Sequence, residues 1–183
     1  MKRWALCSGL VTVTGIVLCV LFRCKPLLTL TVAIGTTFYH MAIRLLIGYA
    51  FDQLVNNRTN FEKRWYQVTR WETVLYEKIR VRQWKKKIPT YDAALFDPTR
   101  HSWTDIARAM CQAELIHEVN MAASFIPLAF SIWFGALPVF VTTSILAAAC
   151  DLIFVILQRY NRPRILRLAH RKAQVRMSAD HTV

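Results

Sequence analysis

Acidic side chains are scarce in this chain: 11 Asp and Glu stand against 24 Lys and Arg in 183 residues. Between Val119 and Cys150 there is no Asp, Glu, Lys or Arg at all. Together with 55% hydrophobic residues, that distribution excludes an ordinary soluble domain, which rarely combines a large apolar content with a large basic excess. The five cysteines, at 7, 19, 24, 111 and 150, are odd in number and lack metal-ligand spacing. They imply no disulfide framework and are read as packing residues. No serine or cysteine stands out as an activated nucleophile. Glu-x-x-His occurs on one helix only, whereas a di-iron carboxylate bundle needs a second copy and two further carboxylates. A metal-dependent membrane enzyme is therefore an alternative only, and no metal or cofactor is expected. Nucleic acid is not expected as a partner either, because apolar spans have no role in binding it.

What is present is a separation of apolar and basic blocks. Trp4 to Phe22 and Leu27 to Phe51 are long enough to cross a bilayer. The first competes with a signal peptide but is longer than an ordinary apolar leader region, and no clear cleavage site follows it. The apolar block from Met121 to Leu157 is too long for one helix. Pro127 should kink its first half, and Gly135 to Pro138 should turn the chain. The expected fold is all-α: an integral membrane helical bundle, with spans at about 4–22, 27–51, 111–134 and 139–157. A basic region, 52–110, contains an amphipathic interfacial helix marked by Phe61, Trp65, Val68, Trp71, Leu75 and Ile79. A basic tail occupies 158–183. Regions 52–110 and 158–183 hold 19 of the 24 Lys and Arg. The positive-inside rule then puts the protein in the cell membrane as a multi-pass chain with both termini cytoplasmic.

Candidate functional residues cluster where charge meets apolar sequence. Glu114 and His117 lie three apart and share a helix face at the mouth of the third span. Such a pair reads either as functional or as a hydrogen-bonded helix start at headgroup level. His40 and Arg44 are stacked on the second span, where Arg44 is read as snorkelling and His40 as a secondary candidate. Asp151 lies inside the return helix and calls for an Arg or His partner. Trp84 with Lys85, Lys86 and Lys87 forms either a lipid-headgroup anchor or a cradle for a phosphorylated ligand. Arg159, Tyr160, Asn161, Arg162 and Arg164 place planar forks suited to carboxylate or phosphate just beyond Leu157. The alternative there is a positive-inside flank.

Three blocks carry a resemblance: Val81-Arg-Gln-Trp-Lys-Lys-Lys-Ile-Pro89, Ala113-Glu-Leu-Ile-His117 and Gln158-Arg-Tyr-Asn-Arg-Pro-Arg164-Ile. In order and spacing, over about residues 60–170, they resemble the glycosyl-diaponeurosporenoate acyltransferases of staphyloxanthin-type carotenoids. The resemblance implies transfer of a fatty acyl group to a sugar hydroxyl of a membrane-embedded, glycosylated lipid, with carotenoid glucoside as the known acceptor class. In that setting His117 would take the hydroxyl proton and Glu114 would fix its tautomer. Arg159, Arg162 or Asn161 would stabilise the oxyanion or orient donor phosphates. Lys85 to Lys87 would meet a phosphorylated donor such as acyl-CoA. Tyr160, Arg164, Trp84, Asp151 and His40 complete the expected substrate-binding set. The competing class is a non-catalytic membrane adaptor that binds anionic lipid.

Overall fold

The computed structural model describes residues 2–22, 25–88 and 93–180. Cys24, residues 89–92 and the last three residues of the tail lie outside the described residues. Among the described residues the elements are helical, with no strand: α1 (Lys2–Phe22), α2 (Lys25–Leu54), α3 (Arg70–Lys78), α4 (Val81–Trp84), α5 (Trp103–Ala123), α6 (Ser131–Phe134) and α7 (Leu137–Asp180), with 3-10 turns at Arg64–Tyr66, Lys85–Lys87, Ala93–Phe96 and Ile126–Phe130. Four stretches are long and apolar enough to cross a membrane: Lys2–Phe22, Pro26–Leu54, Trp103–Phe134 and Leu137–Gln174. By internal contacts the chain divides into two units.

The first unit comprises Met1–Gln53 and Ile116–Leu152. Its sorting of side chains is the reverse of a soluble protein's. Trp4, Leu10, Val20 and Phe22 on α1 point outward, while Thr31, Thr36, His40, Asn120, Ser144 and Asp151 are buried. Hydrocarbon accepts apolar groups as readily as a core does, so polar side chains go inward. Glycine lets α1 and α2 approach: a Cβ at Gly15 would lie 2.7 Å from Thr31 Oγ1, and one at Gly35 3.3 Å from Thr12. The helix that enters the third span stops at Ala123 and resumes as a 3-10 turn. Pro127 has no N–H to give the Ala123 carbonyl. The Tyr39 hydroxyl donates to that oxygen instead, at 3.0 Å, which satisfies a group that hydrocarbon could not. The kink expected at Pro127 is therefore a full break. Gly135 (φ +68°) then closes α6 by donating to Ser131 O at 2.9 Å, and α7 begins two residues later. Only glycine takes that left-handed position without strain.

The second unit comprises Leu54–Leu115 and Ile153–Val183. The single amphipathic helix expected over Phe61 to Ile79 is not formed. Arg64–Tyr66 is a 3-10 turn, Gln67 is extended, and α3 starts only after Thr69. The Glu72 carboxylate accepts from the Thr69 N–H at 2.7 Å and from its hydroxyl at 2.8 Å. That Thr-x-x-Glu closure starts a new helix. α3 keeps an outward apolar stripe of Trp71, Val74 and Leu75 but buries Glu72 and Tyr76. α5 is capped by Ser102. Ser102 Oγ accepts from the Asp105 N–H at 3.1 Å and donates to Asp105 Oδ2 at 2.6 Å. Tyr76, Val81 and Leu157 form the buried core, with Val68, Trp84 and Tyr160 packed on it. The tail expected after Leu157 is not a separate segment: α7 runs 44 residues, through Pro163, to Asp180.

Candidate functional site

In the first unit three ionisable side chains from three helices meet. Asp151 of α7 is 3% exposed and sits between two cationic or polar partners. Its Oδ1 lies 2.9 Å from His117 Nδ1 of α5, and its Oδ2 accepts from the Arg44 guanidinium of α2. Arg44 also donates to the carbonyls of His40 at 2.7 Å and Ala147 at 2.9 Å. It is pinned inward and does not snorkel. A buried carboxylate is too costly unpaired, and Asp151 holds the guanidinium there. His117 is anchored through Nδ1 and remains 23% exposed. His40 is buried, and neither ring nitrogen has a hydrogen-bond partner among the described residues; the same holds for Asn120 Oδ1 and Ser144 Oγ. The unit also has an apolar groove of about 450 Å³ lined by residues that include Thr12, Tyr39, Pro127, Phe130 and Phe140.

In the second unit two carboxylates and two guanidiniums alternate in a buried chain. Arg159 donates from Nε to Glu72 Oε1 at 2.5 Å and from one terminal nitrogen to Glu114 Oε1 at 2.5 Å. Its forks also reach the Trp65 carbonyl at 3.0 Å and the Gln67 carbonyl at 3.2 Å. Arg162 donates to the other oxygen of Glu114 and to the Tyr66 carbonyl. Glu114 is 0% and Arg162 1% exposed. The formal charges cancel, and the carbonyls of 65–67 are tied to α3, α5 and α7. Burial pushes the Glu72 carboxyl up. The hydrogen bonds from Arg159 and Thr69, with the Arg159 charge, outweigh that and hold it at about 2. Burial and the Glu72 charge beside it push the Tyr76 phenol to about 12.

The sign of the Glu72 effect gives a pH prediction. A carboxyl held below its usual 4.5 contributes stability that is complete above that value and is lost as pH falls toward about 2. Thermal unfolding of the detergent-solubilised protein should show Tm dropping through that window. Glu72→Gln should lower Tm at neutral pH and flatten the drop. Equal acid sensitivity in wild type and variant would refute the assignment.

The basic residues of the second unit divide into two kinds. Lys85 Nζ donates to Asn161 Oδ1 at 2.6 Å and lies 5.0 Å from the centre of the Tyr160 ring. Arg164 stacks over the same ring at 4.4 Å and donates to the Tyr160 hydroxyl at 2.7 Å. Burial, then the charges of Arg164, Lys86 and Arg82, lower the Lys85 pKa. Lys86 and Lys87 are exposed. Trp84 donates to the Ile79 carbonyl at 3.0 Å.

The residues singled out from sequence therefore gather in three sets: His117 with Asp151, Glu114 with Arg159 and Arg162, and Lys85 with Tyr160, Asn161 and Arg164. Glu114 gives one oxygen to each of two guanidiniums, and the acid bonded to His117 Nδ1 is Asp151. Sequence reasoning missed Glu72, although the Thr69-x-x-Glu72 spacing is a readable helix-start signal. It also missed the partner role of Arg44. Among the described residues no three His, Cys, Asp or Glu side chains gather in a metal-binding group.

Helices long and apolar enough to cross a membrane, which keep charged and hydrogen-bonded side chains buried, mark a helical membrane protein. A family profile described as glycosyl-4,4'-diaponeurosporenoate acyltransferase matches residues 62–171, and the chain belongs to that family. It is thus an acyltransferase, moving an acyl group from a donor to a lipid acceptor in association with a membrane. No curated protein and no solved structure matches the chain.

Proposed function

We propose that the protein esterifies a sugar hydroxyl of a membrane-embedded, glycosylated lipid of the carotenoid glucoside type, with His117 as general base. The observation that carries this reading is the His117–Asp151 contact at 2.9 Å within the lipid-level helices. With Nδ1 donating to the Asp151 carboxyl oxygen, Nε2 is the nitrogen that takes a proton. Arg44 holds Asp151 in place. His117 Nε2 takes the acceptor hydroxyl proton as the oxygen attacks the donor carbonyl. The new C–O bond forms, the donor C–S or C–O bond breaks, and the imidazolium returns its proton to the leaving group. No acyl-enzyme is required. Asp151 thus takes the orienting role read for Glu114 from sequence, while Glu114, Arg159 and Arg162 hold the second unit together. His40, one helical turn from Arg44, stays on the acceptor side. The apolar groove accepts the hydrocarbon part of the lipid. The charge asymmetry supports cytoplasmic termini.

The test uses purified protein in nanodiscs with palmitoyl-CoA and a glucosylated carotenoid. The expected product is heavier by one acyl group in mass spectrometry and bears the ester on the sugar. Acylation of the unglycosylated lipid at the same rate would remove the sugar from the proposal.

A further inference from the structure

The buried Arg162 and the half-buried Arg44 and Arg159 are each balanced by a carboxylate: Arg44 by Asp151, and Arg159 and Arg162 by Glu72 and Glu114. Lys85 and Arg164 are different. Among the described residues the groups that fix them are neutral, namely the Asn161 amide oxygen, the Tyr160 hydroxyl and the Tyr160 ring. Their surroundings add positive charge from Lys86 and Arg82. Lys85 is half-buried and Arg164 exposed, so the pair is ordered and still reachable.

Holding like charges on one ring is unfavourable by itself. The cost falls when an anion with several acceptor oxygens bridges them. A planar guanidinium and an ammonium gathered at one tyrosine supply N–H donors of the kind that the oxygens of a phosphate ester accept. Asn161 and Tyr160 keep both cations in rotamers that need no rearrangement on binding, which lowers the ordering cost of association.

We propose that Lys85 and Arg164, positioned by Asn161 and Tyr160, bind the phosphate of the acyl donor. The donor is then phosphate-bearing, either a soluble phosphorylated thioester or a phospholipid. The inference rests on the acyl-transfer reading for the word donor, but the site itself is tested by binding alone.

Two arms separate the sources. In the first, protein in phosphatidylcholine nanodiscs is titrated with CoA by calorimetry. In the second, nanodiscs containing dioleoylphosphatidylglycerol supply the only acyl groups, and transfer to the glucosylated acceptor is measured against lipid fraction. For the source that is correct, Lys85→Gln and Arg164→Gln should each weaken the dissociation constant or raise the half-saturating fraction about ten-fold. Both substitutions are at reachable positions, and gel filtration with circular dichroism confirms folding. Asn161→Ala should give a smaller loss in the same arm. Dependence on CoA identifies a soluble donor, and dependence on phosphatidylglycerol identifies a lipid donor. No change in either arm overturns the proposal. CoA binding that falls in the variants, alongside no transfer to any sugar by wild type, would overturn the acceptor reading and leave the phosphate site standing.

Discussion

His117→Ala should lower kcat for acyl transfer by about 10²–10⁴-fold, the range that a positioned general base contributes. KM for either substrate should move much less, because the imidazole acts on the proton in flight. The ring is partly exposed, so its removal leaves no large void and the variant should fold. Asp151→Asn tests the orienting contact separately. It preserves size, but an amide can present its N–H to Nδ1 and favour the wrong tautomer. Asp151→Asn alone also strands the Arg44 guanidinium, which is destabilising by about 3–5 kcal/mol for a buried pair broken on one side. The informative protein is therefore Arg44→Met combined with Asp151→Asn. It should recover most of the lost Tm and none of the lost kcat. Wild-type turnover by His117→Ala would remove the base from the mechanism. Wild-type turnover by the double variant would remove the orienting role of Asp151.

How far the residues themselves disclosed this architecture depends on the range of the interaction. The spans were legible because they rest on length and on a missing charge, as in the uncharged run from Val119 to Cys150. Gly135 was legible as a turn, and Pro127 as a kink though not as the full break it makes, for local reasons. One lacks a Cβ and the other an N–H. The stripe from Phe61 to Ile79 was misread because spacing alone does not register where a helix must restart, whereas Thr69 and Glu72 do so through hydrogen bonds. The ion partners were misread for a different reason. Glu114 and His117 are neighbours on one helix face, and periodicity pairs neighbours. The partners found for Glu114, Arg159 and Arg162, are 45 and 48 residues away. Asp151 lies 34 residues from His117. Tertiary contacts of that kind outcompete an i, i+3 pair, because a carboxylate flanked by two guanidinium forks gains more than one facing a single imidazole. Arg44 belongs to the same lesson: snorkelling is the default for a lone arginine, and a buried acid on another helix cancels it.

Glu114→Ala should be the most destabilising substitution in the second unit. The carboxylate is fully buried between Arg159 and Arg162, and Arg162 is itself 1% exposed. Removing it leaves a guanidinium without counter-charge, a loss of about 3–5 kcal/mol set against a total stability of roughly 5–15 kcal/mol. The variant should therefore show a large fall in Tm in detergent, poor yield and no activity. None of these separates a structural role from the tautomer-fixing role that helix spacing suggested for this residue. A paired change does. Glu114→Leu with Arg162→Met removes both charges and keeps volume, and such replacements of buried ion pairs are often neutral or stabilising. Arg159 keeps Glu72 as its partner. If Glu114 serves the fold alone, this protein should regain Tm and with it most of kcat. A double variant that folds as well as wild type yet transfers no acyl group would return Glu114 to the chemistry and displace Asp151 as the sole carboxylate orienting His117.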